Sequence, residues 1–449
     1  MDVSEFSPDA SGTANARALQ RAVDQGGTIH ITRPGVYRIA ATIHVGSQTA
    51  LIFGPGVILQ KTAEAGPFTY VFLNKGALTK THDENILIEG LHLQVNEQDV
   101  PRWDIPGLRG QVAFFCVRDL IIRRFRCYDL GPQQFCIHVC TFEDLVVEDV
   151  IIHGKKDGVH LGSGRRFRIS HGVFKTFDDA IALNAHDYDT ANPELGWIED
   201  GIVENCHDLT AEHTTGFFCR LLAGGWTDWR PGMQVQKSDT VISQGRLYRV
   251  CAQPDGRIYT SSTAPTHPQG TVERDGISWV MLQETVCYHV GVRNVVFRDI
   301  TLHKPRIGFA YLFDDDRFSR SVYPGVQPPS QDNIRFENIT VTHAEPVPLL
   351  HITTPADVIR VDRARLRHNP IVFTNRTPDF DLGPTHLSLT NCTFTAAGGF
   401  ALVKVEVTPK RLALRTAGSI VTDPTFRAII EDDTGAIAVD SDLPGLGPR

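Results

Sequence analysis

Residues 145–183 read LVVEDVIIHGKKDGVHLGSGRRFRISHGVFKTFDDAIAL, and within this stretch the chain repeats itself after 22 residues. The segment DGVHL at 157–161 aligns with DAIAL at 179–183, and LVV at 145–147 aligns with FRI at 167–169. A period of this length with strand-like triplets is typical of a coil whose turns stack on one another, and not of paired hairpins. The sequence therefore predicts a solenoid of β-strands.

Similar triplets recur along much of the chain. Further ones begin at Leu120, Gly201, Val295, Ile334, Ile359 and Leu387. Short polar residues follow several of them, namely Asp149, Asn205, Asp299, Asn338 and Asn391. Because Asn and Asp tolerate left-handed backbone and cap it with their own side chains, we expect them at tight corners between the strands of one coil.

Residues 226–284 interrupt the period and differ in composition. They hold five Trp and Tyr residues and three turn signals, Pro-Asp-Gly, Pro-Gln-Gly and Asp-Gly. This pattern predicts a small antiparallel β module inserted into the solenoid. Its aromatic residues either bind sugar rings or form the core of the module, and the small size favours a core.

The two ends of the chain differ from the repeats. Residues 14–24 are predicted to form an amphipathic helix that ends at a Gly-Gly pair and covers the open end of the solenoid. The segment 421–449 is acidic and rich in Gly and Pro, so we expect a tail that leaves the period. The solenoid itself is then expected to span 1–225 and 285–420.

The composition argues against two classes of partner. With 44 basic and 52 acidic residues the net charge is −8, and no basic run could neutralise nucleic-acid phosphates. No apolar run approaches the about 20 residues of a membrane-spanning helix. The first residues lack the features of a signal peptide, so a cytoplasmic and a processed, exported protein both stay open, as does a homo-oligomer. The nine cysteines include no C-x-x-C pair and are mostly expected to be buried thiols.

Two stretches of sequence carry a family likeness. DASGTANARALQRAVDQGGTIHITRPGVYRI at 9–39, followed by ALIFGPGVILQ at 50–60, resembles the N-terminal cap of the pectin-lyase-like superfamily. KKDGVHL at 155–161 and TFDDAIAL at 176–183 resemble the paired D-G and D-D motifs of glycoside hydrolase family 28, the polygalacturonase family. The resemblance covers roughly 5–225 and 285–400. It implies an all-β, right-handed parallel β-helix that hydrolyses O-glycosidic bonds of a carbohydrate without a cofactor or metal.

The resemblance also implies roles for three aspartates. Asp178 would be the general acid, and Asp157 and Asp179 would activate a water. Adjacent coils lie about 4.8 Å apart, so these carboxyls should crowd one patch. Like charges at that distance cannot all ionise, and one carboxyl should stay protonated and donate to the leaving oxygen.

The stereochemical outcome follows less directly. The resemblance implies inversion at the anomeric carbon. A separation of one coil, however, is nearer the about 5–5.5 Å of retaining enzymes than the about 6.5–9.5 Å of inverting ones. Splayed side chains would widen it, and inversion is the expectation adopted here.

Three family motifs are altered in this chain. The family's N-T-D is Lys155-Lys156-Asp157, its G-H-G is missing from EHTTGFFCRLL at 212–222, and its R-I-K, which grips a uronic carboxylate, is missing from RIGFAYLFDDDR at 306–317. Galacturonan is therefore not predicted as the substrate. His213 and Arg220 are predicted to position the sugar instead.

Other polar and aromatic residues fall near the same coils. His138 and His160 align one coil apart and either line a sugar cleft or are plain surface residues. Trp103 either stacks on a sugar at the rim or pins its own loop, and Asp315 either contacts sugar hydroxyls or lies in a solvated turn. Asp187 is expected in a solvated turn after the D-D strand, in preference to a cation site.

Three functions are compatible with these residues. The first is a glycoside hydrolase that uses the three aspartates. The second is a polysaccharide lyase or intramolecular transferase on the same fold; a lyase would hold Ca²⁺ with acidic residues and use Lys155 or Lys156 as the base. The third is a non-catalytic glycan-binding protein that recognises its ligand through the insert. The D-D motif favours the hydrolase.

Overall fold

The computed structural model describes residues 5–188, 191–254, 256–314, 320–374, 382–406, 411–432 and 436–446. Its main sheet is a continuous parallel ladder in which each strand pairs with the equivalent strand of the next coil. The predicted right-handed parallel β-helix is therefore confirmed.

Each coil contributes strands to three ladders, called A, B and C here. Ladder A begins with Gly27–Ile31, ladder B with Gly35–Ile39 and ladder C with Ile43–Val45. The strand Phe135–Gly154 passes through ladders C, A and B in turn before the chain breaks into a turn. This turn, residues 155–158, connects ladder B to the next strand of ladder C and carries the first of the predicted aspartates, Asp157.

The strands before the insert are Gly27–Ile31, Gly35–Ile39, Ile43–Val45, Thr49–Phe53, Val57–Lys61, Phe72–Asn74, Asp83–Glu89, His92–Gln94, Gly110–Leu130, Phe135–Gly154, Val159–Leu161, Gly164–Thr176, Ile181–Asn184, Ile198–Asp208 and Cys219–Leu222. The strands of the main sheet after it are Val292–Leu302, Phe309–Leu312, Ile334–Val341, Leu350–Ile352, Val358–Asp362, Arg365–Leu366, Ile371–Thr374, Pro384–Thr390, Thr393–Phe394, Gly399–Glu406, Arg411–Ala417, Ile420–Val421, Arg427–Asp432 and Ile437–Asp440. A 3-10 turn spans Lys75–Leu78.

The corners between ladders A and B are left-handed, as the sequence predicts. The five short polar residues at these corners have φ between 50° and 54°: Asp149, Asn205, Asp299, Asn338 and Asn391. Asn338 donates its Nδ2 to Asp299 Oδ1 of the preceding coil at 2.5 Å, so the corners are tied along the stack. Side-chain amides thus satisfy polar groups that a tight corner would otherwise leave open.

The interior of the coil is filled by residues that stack in register. Val147, Ile169, Val203, Phe297 and Phe336 occupy equivalent positions of ladder A in successive coils, and all are fully buried. Burial of each such side chain contributes roughly 1.5–3 kcal/mol, which explains why the apolar triplets of the sequence repeat.

The predicted capping helix spans Gly12–Asp24. Ser11 is its N-cap and accepts the N–H of Ala14 at 3.2 Å. Leu19 and Val23 are buried on the face that covers the first coil. The helix closes the open end of the core, where apolar side chains would otherwise contact water.

The insert is a separate small β module, as predicted. Its five-stranded sheet has the order Thr227–Asp228, Thr240–Ser243, Arg246–Val250, Ile277–Gln283 and Thr271–Arg274, and Met233–Val235 pairs with Tyr259–Ser261. Tyr248 and Trp279 are fully buried in the core of the module, which favours the core interpretation over sugar binding for these two rings. The strands Gly224–Gly225 and His289–Val290 pair antiparallel where the insert leaves and rejoins the coil.

The chain after Val421 differs from the prediction of a tail. Arg427–Asp432 and Ile437–Asp440 add further parallel strands to ladders C and A. Phe426 is fully buried with its ring 5.5 Å from that of Phe394, so it extends the core by one more coil. The expectation that the period is lost is therefore wrong, because Phe426, Ala428, Leu443 and Leu446 are buried and continue the core in spite of the polar residues between them.

Seven of the nine cysteines are buried, as expected: Cys116, Cys127, Cys136, Cys140, Cys206, Cys219 and Cys392. Among the described residues, no helix has the length and apolarity needed to cross a membrane.

Candidate active site

Three aspartates meet at the turns that lead from ladder B into ladder C. Asp157 lies between the strands Phe135–Gly154 and Val159–Leu161, and Asp178 and Asp179 lie at the same place one coil further on. The N–H of Gly158 donates to the carbonyl of Asp179 at 3.0 Å, which stacks the two turns. One oxygen from each of the three carboxyls lies within 4.8 Å of the other two. The structure thus brings together the three residues that the sequence predicts.

Glycines make this convergence sterically possible. A Cβ at Gly158 would lie 2.6 Å from the carbonyl oxygen of Ala180. A Cβ at Gly216, on the following coil, would lie 2.5 Å from Asp179 Oδ1 and 2.6 Å from Asp178 Oδ1. Gly216 is therefore part of the wall of the site, a role that the sequence motifs do not reveal.

Asp178 is held as an anion by Lys156. The two side chains form an ion pair, and the exposed fraction is 19% for Asp178 and 18% for Lys156. Burial would raise the pKa of Asp178, but the charge and hydrogen bond of Lys156, followed by the charge of Arg220, bring it below its ordinary value. Burial disfavours the Lys156 cation as well, yet Asp157 and Asp178 hold the pKa of this lysine above its ordinary value.

Asp157 and Asp179 have the opposite character. Burial, and then the negative charge of Asp178, raise the pKa of Asp157 to about 8. Burial, and then the charges of Asp157 and Asp178, hold the pKa of Asp179 well above its ordinary range. Asp179 Oδ1 also accepts the N–H of Phe217 at 2.8 Å. The cluster therefore combines one carboxyl whose pKa is lowered, Asp178, with two whose pKa values are raised, Asp157 and Asp179.

The two aligned histidines are buried and are not plain surface residues. His160 and His138 are in register on ladder C, and both are fully buried. His160 Nδ1 lies 2.8 Å from Asp157 Oδ2, and its ring stacks on Phe135 at 4.0 Å. His138 Nδ1 accepts the backbone N–H of Arg109 at 2.9 Å. His160 thus contacts the aspartate cluster directly, whereas His138 supports the loop that ends at Arg109, before the strand Gly110–Leu130 of the preceding coil.

Arg220 pairs with an aspartate of the next coil. Its Nη2 lies 3.0 and 2.8 Å from the two carboxylate oxygens of Asp314. Its positive charge lowers the pKa of Asp178 and Asp179. In this structure the guanidinium therefore acts on the cluster through its field, although the sequence predicts a sugar contact.

Two other predicted contacts lie at the edge of the site. His213 is exposed, with its ring 5.2 Å from that of Phe177. Trp103 is half-buried, and the Arg109 guanidinium lies 5.0 Å from its ring centre, so one face of the indole is covered. That contact fits the pinning role better than an open stacking face. Asp315 lies outside the described residues.

Several groups near the cluster were not predicted. Arg306 is buried, forms an ion pair with Asp208 and donates to the backbone carbonyl of Asp178 at 2.6 Å. It therefore fixes the turn that carries Asp178 and does not face a sugar. Asp187 is 1% exposed, so the expected solvated turn is wrong at this position.

The three carboxyls are also the donor set that a hard divalent cation would prefer. The ammonium group of Lys156 already supplies a positive charge to Asp178. A cation at the same oxygens would have to displace it, so the residues fit a metal-free acid/base cluster better.

Solved structures with the same fold include proteins of different function. The surface adhesin PfbA of Streptococcus pneumoniae matches 95% of this chain and 91% of its own, at 10% identity and a TM-score of 0.53. A family 28 exopolygalacturonase from Yersinia enterocolitica matches 93% and 77%, at 13% identity and a TM-score of 0.44. The tailspike protein of E. coli bacteriophage HK620, in complex with a pentasaccharide, matches 94% and 78%, at 8% identity and a TM-score of 0.43. No protein-family model and no curated protein matches the sequence. The likeness is one of fold.

Proposed function

We propose that the protein is a glycoside hydrolase that cleaves an O-glycosidic bond of a poly- or oligosaccharide with Asp157, Asp178 and Asp179. One observation carries the proposal: three carboxyls lie within 4.8 Å of one another, and Lys156 forms an ion pair with Asp178. Lys156 lowers the pKa of Asp178, whereas burial raises the pKa of Asp157 and of Asp179. Hydrolysis of a glycoside needs this pair of states, one group that gives a proton and one that takes it.

The roles follow from the charges. Asp157 donates its proton to the leaving oxygen as the bond to the anomeric carbon breaks. Asp178 takes a proton from the water whose oxygen forms the new bond, and Asp179 helps to orient that water. General acid–base help of this kind contributes about 10²–10⁴-fold each. These roles exchange the acid that the resemblance implies, because a carboxyl paired with Lys156 is held ionised and has no proton to donate, whereas it can still accept one from water.

Inversion of the anomeric configuration is part of the proposal. It requires room for a water between base and sugar. The short separation of the carboxyls is the observation that argues for retention. Proton NMR of the first product formed decides between them, since the anomer that appears before mutarotation reports the outcome directly.

A lyase is less well supported. Of its two candidate bases, Lys155 is exposed, and Lys156 is kept protonated by the ion pair with Asp178. A protonated amine cannot remove the proton next to a uronate carboxyl.

Product analysis on neutral and acidic plant, algal and microbial glycans tests the proposal, with chelator in half of the samples. We expect new reducing ends that persist with chelator and fall at least about 100-fold in Asp157→Asn and Asp178→Asn. The matched control is Asp299→Asn, since asparagine keeps both the left-handed corner and the hydrogen-bond acceptor there. An unsaturated product lost on chelation would favour the lyase, and glycan binding without cleavage would favour a binding protein.

A further inference from the structure

A buried chain of polar groups runs from the aspartate cluster to a residue with no part in the proposed chemistry. His160 Nδ1 lies 2.8 Å from Asp157 Oδ2, and His160 Nε2 lies 3.5 Å from Asp187 Oδ2. All three side chains are almost fully buried, at 5%, 0% and 1% exposed for Asp157, His160 and Asp187. Phe135 stacks on the imidazole with an angle of 7° between the planes, which fixes the ring.

Asp187 presents hydrogen-bond acceptors to its surroundings. Its Oδ2 accepts the side-chain N–H of Asn184 at 2.6 Å, and its Oδ1 accepts the backbone N–H of Tyr188 at 2.8 Å. Both oxygens of Asp187 therefore already accept N–H groups from the side chain of Asn184 and the backbone of Tyr188. The group that faces it from His160 Nε2 should therefore carry a proton.

The alternative arrangement is electrostatically worse. A proton on Nδ1 alone would leave the Nε2 lone pair facing an Asp187 oxygen inside a buried site, where two acceptors repel. A proton on Nε2 faces Asp187 Oδ2 at 3.5 Å, outside hydrogen-bond geometry but close enough for its partial positive charge to be attracted to that oxygen. This tautomer frees Nδ1 to accept the proton of Asp157. Burial keeps the imidazole neutral, with the pKa of His160 lowered to about 3.

We propose that His160 is a positioning residue: its Nε2–H faces Asp187, its Nδ1 accepts the Asp157 proton, and this hydrogen bond keeps Asp157 in the acid form. When sugar binds, the same hydroxyl turns from Nδ1 to the glycosidic oxygen and transfers its proton there. This catalytic consequence rests on the proposed function, whereas the protonated nitrogen is a property of the free protein.

Other charges surround the pair and bear on the assignment. Asp157 is within the field of Asp178, Lys156, Arg109 and Asp187, and His160 within that of Asp187, Arg220, Arg109 and Lys156. The three cations, Lys156, Arg109 and Arg220, oppose an imidazolium, which is why the proton is assigned to Asp157. His138 lies edge-on to His160, with ring centres 4.7 Å apart, and carries no charge at neutral pH because burial lowers its pKa.

His138 supplies an internal reference for the experiment. Its Nδ1 accepts a backbone N–H, so its proton must be on Nε2, which lies 3.2 Å from Asn192 Oδ1. Asn192 donates its own N–H groups elsewhere, to the carbonyl of Asn184 at 2.5 Å. His138 should thus show the Nε2–H tautomer whatever happens at Asp187.

The experiment is nitrogen NMR of the full chain with ¹⁵N-labelled histidine and no glycan present, with His138→Gln and His160→Gln to assign the two rings. We expect both rings to carry a proton on Nε2 at neutral pH. In Asp187→Asn the new amide can donate to Nε2, so the His160 proton should move to Nδ1 while His138 is unchanged. If His160→Gln does not fold, ¹⁵N–¹H couplings to the ring protons of the wild type identify the tautomer.

The outcomes separate this inference from the proposed function. A His160 ring with a bare Nε2 in the wild type would overturn the inference, even if the protein hydrolyses glycans. A protonated Nε2 in a protein that cleaves no glycan would leave the inference standing and overturn the function. In an active protein, Asp187→Asn should also shift the alkaline limb of the pH–rate profile to lower pH, which a structural role alone would not do.

Discussion

Neighbouring lysines of this chain have different surroundings. Lys155 is exposed, whereas Lys156 is largely buried against Asp178. A single buried cation therefore decides which of three adjacent carboxyls is ionised. The position of a lysine, and not the identity of the aspartates, sets the direction of proton transfer in the proposed site.

Removal of the Lys156 cation should shift the acidic limb of the pH–activity profile. In Lys156→Gln we expect the pKa of Asp178 to rise, so that activity is lost at a higher pH as pH falls. Breaking a buried pair by removing one partner should also cost about 3 kcal/mol of stability. The pH dependence of kcat/KM and urea unfolding check both, with Lys155→Gln as the exposed control; an acidic limb that stays in place would contradict the assignment.

Asp157 should make stability depend on pH. Its pKa is raised in the folded protein from 3.8 to about 8, so between these values the unfolded chain is ionised and the folded one is not. Stability is therefore lost as pH rises from about 4 to about 8. Asp157→Asn removes this cost, and its advantage over the wild type should grow across that window by on the order of a few kcal/mol. Urea unfolding at both ends of the window measures it, and a constant difference would argue against a buried, protonated Asp157.

The aspartates could be predicted from sequence because both motifs lie one repeat apart. Lys156 was visible only as a departure from the family's N-T-D, and its ion pair depends on how two turns face each other. Gly216 could not be predicted, and Asp187 was expected in a solvated turn, whereas it is buried. Gly216 comes from the following coil, after a connection of irregular length, and Asp187 is buried by a loop that the period does not describe.

At the scale of elements, the turn between ladders B and C decides whether the site can form. Gly216 in this turn contacts carboxyls of the preceding coil. We expect Gly216→Ala to displace Asp178 and Asp179 and to lower kcat at least about 100-fold, because catalysis is sensitive to shifts of 1 Å. The overpacking should cost about 1–3 kcal/mol.

The matched control for that variant is Gly399→Ala, where the added Cβ would meet only the end of the Ile429 side chain, at 3.0 Å. Steady-state kinetics and thermal unfolding of both variants test the prediction. Equal activity of Gly216→Ala and Gly399→Ala would mean that the backbone at residue 216 moves to accommodate the added methyl group without displacing the carboxyls.

The elements that were predicted correctly share a local cause. The capping helix has its own N-cap and periodic face, and the left-handed corners have their own Asn or Asp. The coils after Val421 lack such signals, and their buried residues pack on earlier coils, as Phe426 does on Phe394 and Phe400. Local sequence patterns do not predict contacts between residues that are remote in sequence.

At the scale of the whole molecule, the insert packs against the loop that carries Asp187. Arg249 donates to the carbonyl of Tyr188 at 2.7 Å. Gln283 bonds to both the N–H and the carbonyl of Leu195, at 2.8 and 3.1 Å. The module therefore supports one side of the proposed site, although Tyr248 and Trp279 lie in its own core.

Excision of the module should leave the coil folded and weaken the site. Replacing residues 227–287 by Asn-Gly joins Trp226 to Tyr288, whose backbones already share a hydrogen bond of 3.0 Å. We expect an unchanged β-sheet circular dichroism spectrum and at least about a 10-fold loss of kcat/KM, because the buttress of Asp187 is lost. Unfolding of the whole chain would show that coil and insert are one folding unit. Unchanged activity would show that the loop carrying Asp187 keeps its conformation without the insert.

The antiparallel pair of Gly224–Gly225 with His289–Val290 has a consequence for the history and engineering of such chains. Because these two strands are paired, an inserted segment begins and ends at adjacent positions on the coil. The size of the segment therefore does not change the spacing and register of the stacked coils. Evolution or protein design can therefore replace the inserted module, and so change the surroundings of the three carboxyls, without altering the β-helix that carries them.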